Sequence, residues 1–241
     1  MHDPHGPVTN KDVFKAFFEK NKTVILFILD ILLNLVIIAA MVFIIRTFLI
    51  SPFQVYGPSM CDTLNNIEGS CEHGYGEYII VNKFGYQNLL GWQVGLPQRG
   101  DIIVFHPPGN NAEFFIKRVI GMPGETVKLI DGYVYIFNTA HPEGYKLDEP
   151  YLNSTNAGNT HPFTENFTVF EVPTASYFVM GDNRTQSSDA RTCFQESVST
   201  GGCNRPGNTP YLTMSNVEGK AWLVLWPFSK MAVLNNPTYG I

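Results

Sequence analysis

Residues 114–137 read FFIKRVIGMPGETVKLIDGYVYIF. Three runs rich in apolar, β-branched and aromatic residues, Phe114–Ile120, Thr126–Ile130 and Tyr133–Phe137, are bounded by Gly, Pro and Asp. Such short runs between turn formers read as strands. Between the last two lies Asp131-Gly132, a two-residue hairpin signal. The same rhythm extends outward through Tyr78–Asn82, Asp101–His106, Phe167–Val172, Tyr177–Gly181 and Ala221–Trp226. No strand–helix alternation is visible, which predicts a mainly β, antiparallel domain over residues 46–241. Two segments break the pattern. Residues 139–166 and 192–210, dominated by Asn, Thr, Pro and Gly, are predicted to be loop-rich excursions from the sheet.

Upstream of this domain the chain changes character. From Val24 to Ile45 it reads VILFILDILLNLVIIAAMVFII, interrupted only by Asp30 and Asn34. A helix of that length spans roughly 33 Å, about the hydrocarbon thickness of a bilayer. The run is too long for the core of a cleaved signal sequence, and no small-residue cleavage site follows it. Residues 24–45 are therefore predicted to be a retained transmembrane helix. Lys11, Lys15, Lys20 and Lys22 precede the helix, whereas after Arg46 no basic residue occurs until Lys83. That bias places segment 1–23 in the cytoplasm and the remainder on the extracytoplasmic side. Asp30 and Asn34 share a helix face and suit a contact with a partner helix; the alternative is that Asp30 reaches the interface or is protonated.

The chain has 241 residues and a formal charge of −5 with no basic block, which argues against a nucleic-acid partner. Its four cysteines, Cys61, Cys71, Cys193 and Cys203, all fall on the predicted outer side, where disulfides persist. Three pairings are possible. The two local ones are favoured, because each closes a short polar, Gly-containing loop. A zinc site with His73 is the rival, but Cys71-x-His73 is not a usual ligand spacing. No metal is expected.

Three stretches carry reactive chemistry. In Val55-Tyr56-Gly57-Pro58-Ser59-Met60 a strand-like segment breaks at Gly-Pro and presents a serine. Ser59 follows Ile45 by 14 positions, so an extended chain keeps that serine within roughly 50 Å of the bilayer. Taken alone, such a serine is an ordinary turn residue. In Phe114–Ile120, alternation puts Phe115, Lys117 and Val119 on one face and Phe114, Ile116, Arg118 and Ile120 on the other. Apolar neighbours lower a lysine's pKa, and a neutral amine can take a hydroxyl proton. Arg118 stays charged and cannot. The competing reading is an edge strand whose Lys and Arg face water. In 181–191, GDNRTQSSDAR, acids and arginines alternate and allow bidentate pairs that brace a loop; a solvated polar loop is the alternative.

In this order behind an apolar anchor, the three stretches resemble the bacterial type I signal peptidase family. Pro52-Phe53-Gln54-Val55 with Ser59-Met60 is similar to its nucleophile segment. Gly100–Phe105 resembles its central strand, and Ile116–Glu125 its general-base segment. Gly181–Arg184 with Ser187, Asp189 and Arg191 resembles its late loop, and Gly219-Lys220-Ala221 its closing strand. The resemblance implies Ser59 as nucleophile and Lys117 as general base, with Ser187 orienting the amine and Asp182, Arg184, Asp189 and Arg191 bracing the site. Phe53, Val55, Phe115 and Ile116 match positions lining shallow pockets for small residues, typically Ala-x-Ala before the cut. It implies exported preproteins at the bilayer as partners and no cofactor. The chain departs from the family pattern at Asp62, where proline is usual, at Ala190, where serine is common, and at Gly57, where some members place an oxyanion-hole serine. With Gly57 there, the Ser59 N–H is left as the oxyanion donor.

Overall fold

The structure, a computed structural model, describes residues 10–86, 95–163, 167–195 and 202–240. The remaining parts of segment 1–23 and of the two excursions lie outside the described residues. Two compact units separate, residues 1–47 and 48–241. The first is a single helix, α1, Asn10–Ile44, long and apolar enough to cross a membrane. It begins well before Val24 because 10–23 contains helix formers and neither Gly nor Pro to stop it. Within it, the Asn34 Nδ2 donates to the Asp30 carbonyl at 2.9 Å, satisfying one of the two polar side chains locally.

The second unit is built from antiparallel strands: β1 Ile50–Tyr56, β2 Asn66–Ile67, β3 Ser70–Cys71, β4 Tyr75–Asn82, β5 Ile102–Phe105, β6 Phe115–Gly121, β7 Thr126–Ile130, β8 Tyr133–Phe137, β9 Tyr145–Lys146, β10 Val169–Glu171, β11 Ser176–Met180, β12 Leu212–Thr213, β13 Val217–Trp226 and β14 Ala232–Val233. The large sheet runs β1-β4-β13-β5-β6-β11-β12, with β14 also on β13, and a second runs β10-β7-β8-β9. The Asp131-Gly132 hairpin joins β7 and β8 as its turn chemistry predicts, with Ile130 opposite Tyr133 and Asp131 at φ +50°. Strand β1 is longer than the Val55-Tyr56 fragment legible in the sequence. Its first half adjoins the apolar helix and contains Pro52, so neither alternation nor composition marks it.

Period-two alternation divides the interior. On β5, Ile103 and Phe105 enter one apolar cluster while Ile102 and Val104 enter another. The first lies between the two sheets and includes Val119, Val127, Val134, Ile136, Phe170 and Phe178. The second gathers Val55, Ile79, Val81 and Ala221, and it also takes in Met60 and Leu64 from the turn after β1. Strand β6 breaks its own alternation near the end. Gly121 pairs with Phe178 but Val119 pairs with the adjacent Val179, so Ile120 is an extra residue and packs on the same side as Val119.

Phe178 joins the sheets, its ring 4.5 Å from that of Phe170, and it is fully buried. Phe178→Ala should destabilise the domain by about 3–5 kcal/mol. Denaturant unfolding of the full chain in detergent measures this, and a loss under about 1 kcal/mol would show that the contact between the sheets lies elsewhere.

Candidate active site

Two elements bring the reactive groups together. The turn after β1 carries Ser59, and its fold is set by Met60 and Leu64, whose buried side chains pin it into the second cluster. Its first residue, Gly57, has φ +82°, a conformation that favours glycine. The Gly57 N–H donates to the Gly74 carbonyl at 3.0 Å, and its own carbonyl accepts from Asn65 Nδ2 at 3.1 Å. Among the described residues the Ser59 N–H donates to no protein acceptor.

The second element is β6. It is an interior strand between β5 and β11, so the water-facing alternative for its lysine does not hold. Lys117 is 3% exposed, and its Nζ lies 2.8 Å from Ser59 Oγ and donates to the Ile116 carbonyl at 2.8 Å. Burial of the amine is the largest influence on its pKa and pulls it down. The carboxylates of Asp189 and Asp182 pull it up and the Arg191 charge pulls it down; the net value is about 8.

Loop 181–191 packs against these two elements and is mostly buried, with only Thr185 and Gln186 exposed. Gly181 has no space for a side chain, because a Cβ there would run into Ser187 Oγ and the Ser59 carbonyl. Asn183 N–H donates to that same carbonyl at 3.1 Å, and Asn183 Nδ2 to the Pro58 carbonyl at 3.1 Å. Asp189 and Arg191 form the bidentate pair the loop composition suggests, at 2.9 and 2.8 Å, while Gly181 N–H donates to Asp189 at 3.0 Å. Burial alone would raise the Asp189 carboxyl, but the Arg191 guanidinium and these donors hold it below its ordinary value.

The other two charged residues find partners outside the loop. Asp182 is gripped by Arg118, Nε at 2.8 Å and Nη2 at 2.6 Å, and accepts from Thr63 Oγ1 at 2.6 Å. Arg184 pairs with Glu149 and donates to Thr160 Oγ1 at 2.6 Å. Ser187 is brought next to the dyad but not onto the amine. Its Oγ is buried close to the Asp189 carboxylate, short of good hydrogen-bond geometry with any of the described residues. Composition and spacing give no role to Arg118, Thr63, Glu149 or Asn183; for Arg118 the available signal is a strand, 114–120, with two cations, no acid and otherwise apolar residues. Both local cysteine pairs are closed as disulfides, Cys61–Cys71 and Cys193–Cys203.

Ser59 and Lys117 open onto a cleft of about 470 Å³ that also has Tyr56, Gly57, Tyr75, Phe114, Phe115 and Ser188 in its walls. A smaller apolar recess of about 40 Å³ is lined by Phe53, Val55, Phe115 and Ile116, with Ile79 and Val104. The backbone flanking the cleft is unpaired. Strand β1 ends the sheet, and β11 bonds β6 only from Arg118 onward, leaving 115–117 open on that side.

Residues 28–226 match the family described as signal peptidase, peptidase S26. The chain belongs to the signal peptidase family. Among its relatives, signal peptidase I U of Bacillus subtilis is 34% identical over 206 residues, 83% of this chain and 89% of that protein. Signal peptidase IB of Staphylococcus aureus is 28% identical over 221 residues, 87% and 95% of the two chains. The crystal structure of a signal peptidase I from Enterococcus faecalis is 31% identical and aligns with a TM-score of 0.36 over 52% of this chain and 97% of the other. In this signal-peptidase-family chain, Arg118→Ala would leave the Asp182 carboxylate buried and unpaired. It should cost about 3–5 kcal/mol of stability, read by thermal or denaturant unfolding; an unchanged midpoint would mean the pair contributes nothing.

Proposed function

We propose that this chain is a membrane-anchored serine endopeptidase that removes signal peptides from exported preproteins, using Ser59 as nucleophile and Lys117 as general base. The single observation that carries the reading is a buried lysine amine 2.8 Å from a serine hydroxyl that opens to a cleft. Family membership and relatives named signal peptidase I support the substrate class.

Neutral Lys117 holds its amine with one N–H on the Ile116 carbonyl, which leaves the nitrogen lone pair for the Ser59 proton. The serine oxygen attacks the scissile carbonyl. The Ser59 N–H faces the developing oxyanion, since Gly57 brings no hydroxyl and its N–H is committed to Gly74. The Lys117 ammonium returns the proton to the leaving amine, and water then hydrolyses the acyl-enzyme through the same base. The brace of Asp182, Arg184, Asp189 and Arg191 keeps the loop behind the amine rigid, and Ser187 lies within it.

Substrate enters as an extended strand between the open edges of β1 and β6. The apolar recess is small, and its lining by Phe53, Val55, Phe115 and Ile116 favours small residues such as alanine at the positions it holds. This supports cleavage after Ala-x-Ala. Helix α1 supplies a single membrane span over residues 24–45, with segment 1–23 cytoplasmic and the catalytic domain, 46–241, outside. The basic residues before the span and the two disulfides support that orientation. Asp30 and Asn34 remain the place on the span where a partner helix would dock.

Two experiments test the reading. Full-length protein in detergent should cut an Ala-x-Ala preprotein at one bond, identified by mass spectrometry. Ser59→Ala and Lys117→Ala should each abolish the product while thiol alkylation leaves the wild type active; turnover by either variant removes that residue from its role. Because the base acts when unprotonated, kcat/KM should fall about tenfold per pH unit below the Lys117 pKa of about 8 and level off above it. A flat profile between pH 6 and 9, as roughly bracketing values, would sink the amine as base.

A further inference from the structure

We propose that Asp62 and Asn156 are positioning residues for Ser59, linking the serine turn to loop 181–191 through one closed ring of hydrogen bonds. The inference rests on Ser59 and Lys117 being the catalytic pair. Asp62 stands three residues after Ser59, and its carboxylate is the acceptor for three amide donors from a distant segment. These are Asn153 N at 2.7 Å, Asn153 Nδ2 at 2.9 Å and Asn156 Nδ2 at 2.8 Å.

Asn156 is buried and uses both ends of its amide. The nitrogen donates to Asp62, and the oxygen accepts from Thr185 N at 3.2 Å. Two residues before Thr185 is Asn183, whose N–H holds the Ser59 carbonyl at 3.1 Å. The ring therefore runs from Ser59 along its turn to Asp62, across to Asn156, to Thr185, back to Asn183 and onto Ser59 again. Met60 and Leu64 fix the turn from the core side, and this ring fixes it from the solvent side.

Neither Asp62 nor Asn156 lines the cleft or touches Lys117, so both act on the serine only through the backbone that carries it. Direction matters in the bridge. Asp62 has only acceptors to offer and all three groups facing it are donors, so an amide at 62 would turn its own N–H against at least one of them. A displacement of the nucleophile well below the size of an atom is enough to lower turnover strongly.

The test is steady-state cleavage of an Ala-x-Ala preprotein by the full chain in detergent, with thermal unfolding in parallel. Asp62→Ala and Asn156→Ala should each lower kcat by about tenfold to a hundredfold with KM almost unchanged. The double variant should lose little beyond the worse single one, because both break the same ring. Asp62→Asn keeps one acceptor for these amides and should lower kcat less than Asp62→Ala. If Asp62→Ala does not fold, the same comparison runs on Asp62→Asn, which keeps the volume. Wild-type kcat in folded Asp62 variants, losses that simply multiply, or an effect confined to KM would each overturn the assignment. A Lys117→Ala control separates the layers: turnover in that variant defeats the catalytic pair itself, whereas its inactivity beside a fully active Asp62→Ala defeats only the ring.

Discussion

Taking a lysine amine out of water works against its positive charge, and every feature around Lys117 answers to that constraint. Burial pulls its pKa down to about 8 against the upward pull of two nearby carboxylates, Asp189 and Asp182. Arg118 takes up Asp182 and Arg191 takes up Asp189, each through two hydrogen bonds. The ion pairs contribute little as stabilisers in their own right, since each buried charge costs desolvation that its partner only offsets. Their consequence is local: the arginines offset part of the negative charge beside the amine and tie down the loop that carries it.

The same pairs explain the order of the elements. Arg118 follows Lys117 on β6, points to the opposite side and reaches Asp182, so the strand presents the lysine to one side and its anchorage to the other. Thr63 joins the pair from the serine turn, which lets one cluster register Ser59, Lys117 and the loop together. Glu149 extends the arrangement into the segment before β10 by holding Arg184. Residues that look like decoration in a polar excursion are therefore structural to the site.

Much of the strand framework was legible because turn chemistry is local. Asp131-Gly132 marks its hairpin within two residues, and alternation on β5 assigns its faces without outside help. The extra residue at Ile120 was not legible, because a bulge depends on the partner strand. For the site, residue types and order pointed to Ser59 and Lys117, but 58 residues separate them and no spacing rule predicts their contact. The loop's acids and arginines suggested mutual pairs. Asp189–Arg191 obeys that, whereas Asp182 and Arg184 turn to Arg118 and Glu149, partners that only the tertiary fold supplies. Asn156 lay in a stretch without periodicity, and its burial has no signature in sequence.

An open sheet edge is ordinarily a hazard, since it invites any stray strand to pair with it. Among the described residues two such edges border the cleft, and as the proposed docking edges they would filter conformation before any side chain is sampled. A helix has its own amide groups already occupied and offers nothing to either edge. A packed domain cannot thread between them. Under the strand-pairing mode proposed above, only chain that has come unwound would dock, and a preprotein would have to surrender local structure at the cut site first.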